Sequence, residues 1–217
     1  MTRSKALNKA SDIVPNKTRN KISAPKILII YKSSTGFTKR YAELLAKRLG
    51  CALADFKNIR PAFLCGYDII IFGTRAHAGS IDGLKKLRTI LKAYNRRRPV
   101  PCASVRDTSG MAHPLCAIFV TGAVPAAEKD TIEHLWQNNL TEKELSRLPH
   151  FYLPAGLCYE RMCFTDRMMM KGLAFMLKRK RGKTVRDIGL EKQISCSFDI
   201  SSEEYLEPLI SLFSQLK

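Results

Sequence analysis

Acidic residues are scarce. The chain of 217 residues carries 19 Asp and Glu against 37 Lys and Arg, a formal net charge of +18. Such an imbalance speaks about partners rather than about fold, and it points to anionic ones. Long apolar runs are absent too: none approaches the roughly 18 residues that a bilayer-spanning helix needs. The basic opening, MTRSKALNKASDIVPNKTRNK, has no apolar core and so is not a secretory signal. The expected location is the cytoplasm, with the inner face of the cell membrane as a site of peripheral attachment. No Cys-x-x-Cys occurs among the seven cysteines, and their odd number argues against a disulfide frame or a zinc site. The four histidines stand apart in sequence, which offers no metal motif. Aromatic residues make up only 8%, and no recognition-helix or RNA-binding aromatic motif is present. Nucleic acid therefore ranks below anionic lipid and acidic substrates as a partner.

What is present is a globular composition, 45% hydrophobic, arranged as buried strands alternating with amphipathic helices. Residues 1–24 read as a basic flexible extension, and residues 25–217 as one domain. KILIIY (26–31) is a continuous apolar strand. In TKRYAELLAKRLG, Tyr41, Leu44, Leu45 and Leu49 share one stripe, a helix ended by Gly50. CALADF (51–56) and DIIIFGT (68–74) are further strands, with a short helical piece between them. A helix over 84–94 leads to a long proline-bearing loop, 99–114. LCAIFVTGAV (115–124) is a fourth strand and HFYLPAGLCY (150–159) a fifth, bent by Pro154. Helices are expected over 126–137, after the Thr141-x-x-Glu144 capping box, over 164–177 and over 203–216. Residues 178–200 are basic and mixed. The alternation predicts a parallel sheet with helices on both faces.

Ligands of such sheets bind beyond the C-terminal ends of the strands. Three strands end in polar, glycine-bearing loops there: SSTGFT, TRAHAG and TGA. In the first, Ser33, Ser34, Thr35 and Thr38 supply hydroxyls, and Gly36 lets the main chain approach a ligand closely. With the N-terminus of the following helix they suit an anion. Neither Gly-Lys-Ser/Thr nor Gly-x-Gly-x-x-Gly is present, so the loop matches a lone monoester phosphate rather than a nucleotide triphosphate or a dinucleotide.

Ser33-Ser34-Thr35-Gly36-Phe37-Thr38 resembles the flavodoxin pattern Ser/Thr-x-Thr-Gly-x-Thr and stands at the same address, directly after the first strand. The resemblance implies a flavodoxin-like three-layer sandwich, with a five-stranded parallel sheet in the order 2-1-3-4-5. It also implies FMN. The phosphate would sit on residues 33–38. The ring would lie between Thr74, Arg75, Ala76, His77 and Gly79 on one side and Thr121, Gly122 and Ala123 on the other. Flavodoxins usually stack aromatic rings on the flavin; neither loop has a Trp or Tyr, and His77 is the one ring in the first.

AGLCYERMCFTDRMMMKGLAFMLKRKRG (155–182) looks like a segment of the FMN-dependent, quinone-linked protoporphyrinogen dehydrogenases. It carries their Ala155-Gly156, Tyr159 and Asp166-Arg167 before a Met-rich helix bearing Lys171. That resemblance implies a small-molecule redox substrate and a membrane quinone as acceptor. No catalytic acid or base is assigned; His77 and His113 lie near the expected flavin rim. Two other readings stand beside the enzyme: an electron carrier between proteins, and a basic protein of this fold that has lost FMN and binds lipid or nucleic acid. The Met-rich helix itself has two readings, a core helix with a solvated end and a segment lying on an anionic membrane.

Overall fold

The computed structural model describes residues 25–97 and 115–215. The expected extension, 1–24, and the long loop, 99–114, with His113, lie outside the described residues.

Apolar runs become strands where their lengths predict them. They are β1 (Ile27–Tyr31), β2 (Ala52–Asp55), β3 (Ile69–His77), the two-residue β4 (Ser80–Ile81), β5 (Leu115–Gly122) and β6 (His150–Pro154). The sheet order is β2-β1-β3-β5-β6, all parallel, with β4 added antiparallel to β3. Counted over its parallel strands alone this is the 2-1-3-4-5 order, and the fold is flavodoxin-like.

Both faces of the sheet are apolar because the strand side chains alternate. Leu28, Ile30, Ile70, Phe72, Ile118 and Val120 face one way, against helices α2 (Leu84–Arg97) and α3 (Lys129–Asn139). Ile27, Ile29, Ile69, Ile71 and Phe119 face the other way. There they meet Tyr41, Leu45 and Leu49 of α1 (Phe37–Leu49) and Leu209 and Phe213 of a C-terminal helix. Three layers result. Tyr41 also ties the second face together: its buried hydroxyl donates to Pro154 O at 2.6 Å and accepts from Ser202 N at 3.1 Å.

The helix α4 (Glu142–Arg147) starts at the expected capping box, with the Thr141 side chain and Glu144 exchanging hydrogen bonds. Past β6 the chain departs from the expected single bent strand. Gly156 and Leu157 form β7, which leaves the main sheet and pairs with β8 (Phe198–Asp199). Gly156 is required there, because a Cβ would lie 2.1 Å from Phe198 O. Between them run α5 (Phe164–Arg179) and α6 (Val185–Ile194). The mixed stretch 178–200 thus holds a helix, started by a second capping box at Thr184 and Asp187. The last helix, α7 (Glu207–Ser214), is shorter than expected, since Glu203–Leu206 forms a 3-10 turn before Pro208. The reading of α5 as a core helix fails: Asp166 and Leu177 are its buried residues, and most of its large apolar side chains are exposed.

Gly73, in the middle of β3, lies under the fully buried Phe119 ring, and a Cβ there would be 2.0 Å from Cζ. Gly73→Ala forces that ring into a packed core, so a loss of about 1–3 kcal/mol is expected. A chemical-denaturation midpoint that falls accordingly, with unchanged slope, is the check.

Candidate functional site

The ladder registers bring the strand ends level. Tyr31 pairs with Gly73, Gly73 with Phe119, and Phe119 with Phe151. The segments after β1, β3 and β5 therefore emerge on one edge, and Lys32 N donates across them to Gly73 O at 2.8 Å.

In the first segment Gly36 takes φ 99°, a left-handed conformation that favours glycine. Its N–H donates to Ser33 Oγ at 3.1 Å, which closes the turn. Helix α1 then begins with no side-chain cap and no acid in its first turn. By contrast α4 and α6 are both closed by capping boxes. The open N–H groups of α1 are orphan donors facing outward. Hydroxyls that could cap them are engaged elsewhere or free. Thr38 is buried and donates to Thr121 Oγ1 at 2.7 Å, which in turn donates to Thr74 O at 3.3 Å. Ser34 is exposed and Thr35 half-buried, and neither hydroxyl bonds another described residue. Phe37 packs against the core below α1. The result is a seat for a small anion built from main-chain N–H groups and the hydroxyls of Ser34 and Thr35.

Neutral donors are not alone at this seat. It opens into a cleft of ≈ 480 Å³ lined by Thr35, Gly36, Arg40, Cys158 and Arg161. Arg161 Nη1 lies 2.9 Å from where a Cβ on Gly36 would be, so the guanidinium sits directly over the turn.

The second segment is not a plain loop. Strand β3 continues through Arg75, Ala76 and His77, turns at Ala78 and Gly79, and returns as β4. Both turn residues have positive φ, 47° and 74°, as a two-residue hairpin demands. Asn139 holds this turn from α3, donating to Gly79 O at 2.9 Å and accepting from Ile81 N at 2.9 Å. Thr74 Oγ1 donates to Asp82 O at 2.6 Å. Charged side chains then alternate along the edge. Lys32 pairs with Asp82, Asp82 with Arg75 Nε at 3.4 Å, and Arg75 Nη1 with Asp166 Oδ2 at 2.8 Å; His77 Nε2 meets Asp166 Oδ1 at 3.0 Å. Asp166 is 8% exposed and stands in the first turn of α5. Burial pushes its carboxyl up, but the bonds from Arg75 and His77 outweigh that and hold it below the ordinary Asp range. Asp82 behaves likewise: burial raises it, and the bonds and charges of Lys32 and Arg75 bring it below.

In the third segment, Thr121 is locked to Thr38, while Gly122 and Ala123 are shaped from behind. The Tyr152 hydroxyl of β6 lies 2.3 Å from where a Cβ on Gly122 would be, and it accepts from Val124 N at 3.0 Å. Burial pushes the Tyr152 phenol up to about 12, so it stays protonated at neutral pH. Gln193 of α6 donates to Ala123 O at 3.0 Å.

The residues proposed from sequence to hold the cofactor thus lie on one edge, but in two roles, while His113 lies outside the described residues. Ser34, Thr35 and Gly36 face the seat; Thr38, Thr74 and Thr121 bind the three segments to one another. Asp82, Lys32, Asp166 and Arg161 belong to the edge as well, and sequence reading did not place them there. A signal was available for Asp166, one of two acids in the basic stretch 155–182.

Among known protein families, the flavodoxin domain matches this chain over residues 28–184, more than half its length. The chain belongs to the flavodoxin domain family. No curated protein sequence matches it. Solved structures similar to it include an archaeal flavodoxin, 12% identical, covering 79% of this chain and 99% of that one at a TM-score of 0.34. The Trp repressor binding protein of Bacillus subtilis is 17% identical, covering 59% and 84% at 0.36. The two-electron reduced flavodoxin of Megasphaera elsdenii is 14% identical, covering 58% and 82% at 0.33. At those scores the family match, not the structural likeness, carries the assignment.

The cofactor of this flavodoxin-domain protein is FMN, and the edge suits it. The α1 terminus, which has no side-chain cap, and the hydroxyls of Ser34 and Thr35, which bond no other described residue, fit a monoester phosphate, and the second and third segments stand level with them. Among the described residues no group of His, Cys, Asp and Glu is placed to hold a metal ion.

Two outcomes follow from this geometry. Gly36→Ala imposes about 1–2 kcal/mol of left-handed strain and pushes on Arg161. FMN should then bind roughly 5- to 30-fold more weakly in a fluorescence-quenching titration, while riboflavin, lacking the phosphate, is affected less. The lowered carboxyls of Asp82 and Asp166 set an acid limit. Their contribution is fully present above the unfolded Asp pKa of about 3.9 and is lost as pH falls through the folded values. Melting temperature should fall below about pH 4, and Asp166→Asn should flatten that fall.

Proposed function

We propose that the chain is an FMN-dependent oxidoreductase that dehydrogenates a reduced organic substrate of the protoporphyrinogen class and passes the electrons to a quinone. The observation that carries this reading is the Arg75–Asp166–His77 cluster. It fastens the segment 155–182, which bears the protoporphyrinogen dehydrogenase resemblance, to the edge where the flavin ring belongs. A plain carrier has no need of a second helical layer clamped beside its ring.

Bound FMN supplies reversible acceptance of electrons from an organic donor. The chain's own residues hold the donor. A cleft of ≈ 550 Å³ beneath α5 is lined by Tyr159, Glu160, Arg167, Lys171 and Ser197. Arg167 Nη2 donates to Glu160 O and Met162 O, both at 3.4 Å, while its Nε has no hydrogen-bond partner among the described residues and so remains a donor suited to a carboxylate. A porphyrinogen carries propionates, which Arg167 and Lys171 can pair. Electrons and protons leaving the substrate end on the quinone as quinol.

A second reading, one-electron transfer between proteins, is favoured by membership of the flavodoxin family itself. Against it stands the charge of +18, since flavodoxin carriers are typically acidic. The deciding assay mixes FMN-loaded protein, protoporphyrinogen and a quinone anaerobically and follows porphyrin fluorescence. Fluorescence that rises with enzyme and quinone, and that falls at least tenfold in Arg167→Gln with FMN content unchanged, is expected. No turnover with any quinone leaves the carrier reading.

A further inference from the structure

Helix α5 leaves an unusual surface. Phe164 is 76% exposed, Met176 69% and Phe175 57%, and Met168, Met169 and Leu173 are exposed beside them. At about 100° per residue these six cover roughly half the helix circumference. The opposite side holds Asp166 and Leu177, which are buried. Lys171 and Lys178 are exposed along one margin, and the Arg179 guanidinium lies over the Phe175 ring at 5.0 Å from its centroid. The exposed Lys180 and Arg181 follow directly. The one acid of α5, Asp166, is on the buried side and is already taken up by Arg75.

We infer that this face of α5 docks on the surface of an anionic phospholipid bilayer. The side chains suit that occupant. Met and Phe are flexible or flat apolar groups that enter the boundary between headgroups and acyl chains. Lysine stems lie along the same boundary and carry their ammonium groups to the phosphates. A second copy of this chain fits poorly, because it would set Lys171, Lys178 and Arg179 of each copy against their own images. Nucleic acid offers no apolar phase for six such side chains. The helix lies flat: no described helix is long and apolar enough to cross a membrane.

The docking has a direction. Asp166 fixes the N-terminal turn of α5 to Arg75 and His77, at the edge where the flavin ring belongs. A bilayer under α5 therefore faces that edge rather than α2 and α3. This inference rests on the exposed face and its charges, not on the proposed redox chemistry, and its test needs no turnover.

The experiment is co-sedimentation of the FMN-loaded full chain with phosphatidylcholine vesicles, with and without phosphatidylglycerol, at about 0.1 M and about 1 M salt, where the Debye length falls from ~10 to ~3 Å. Binding to the anionic vesicles at low salt is expected, and at least tenfold weaker binding to neutral ones. Lys171→Gln with Lys178→Gln should weaken it by about 25-fold, near fivefold for each charge lost. Phe175→Ser with Met176→Ser keeps every charge of the chain and should weaken binding at least tenfold with FMN content unchanged. Should that pair prove too damaging to fold, Met168→Ser with Met169→Ser asks the same question. Apolar variants that pellet as the parent does would overturn the inference, leaving bare charge attraction. So would a parent chain that ignores anionic vesicles, or one that prefers duplex DNA to them, or one that dimerises through this face and is made monomeric by the serine pair.

Discussion

A carboxylate withdrawn from water has to be paired, and in this chain that requirement joins the two halves of the molecule. Asp166 reaches from the first turn of α5 to Arg75 and His77 at the end of β3. Removing one partner costs less than the ~3–5 kcal/mol of a fully buried pair, because Arg75 and His77 both serve Asp166 and both keep some contact with water. Arg75 shares its guanidinium with Asp82, and Asp82 with Lys32, so the same alternation continues to the end of β1. Position along the sheet edge is thereby set by charge. The apolar contacts that hold the sheet to its helices lie elsewhere, on its two faces.

Hydroxyl groups divide the remaining labour at that edge. Thr38, Thr121 and Thr74 spend theirs on one another and on main-chain oxygens, a chain of bonds that stitches three segments together. The N-cap position of α1 is Gly36, which has no side chain to cap with, although the helix N-terminus stands amid hydroxyl-bearing residues. Helices α4 and α6 show what a cap looks like in this same chain. An uncapped terminus beside a left-handed glycine and an overlying arginine suits a ligand's negative charge.

The parallel sheet was legible because β1, β3 and β5 are buried on both faces and so appear as uninterrupted apolar runs. The segment after β1 could be singled out by its address and its glycine, and it stands at the C-terminal edge of the sheet with Gly36 in a left-handed conformation. The contact of Asp166 with Arg75 was not, because nothing local in either stretch speaks of a partner so far along the chain. The hairpin of β3 and β4 was hidden by its turn, where Ala78 adopts a left-handed φ of 47° that composition assigns to glycine or asparagine. Helix α6 was obscured by its charge content, although Thr184 and Asp187 carry the spacing that starts it. The solvent-facing side of α5 could not be told from a core stripe, since Met and Phe serve either purpose and only packing separates them.

Tyr41 brings a temporal consequence. Its one hydroxyl joins α1 to the exit of β6 and to Ser202, and the side of the sheet beneath it is roofed by Leu206, Leu209 and Phe213. Helix α1 follows β1 directly and covers it at once, but the part of this layer closed by Leu206, Leu209 and Phe213 is completed by residues made last. During synthesis that part stays wet until α7 has left the ribosome, a window in which apolar surface is open to aggregation and chaperone capture.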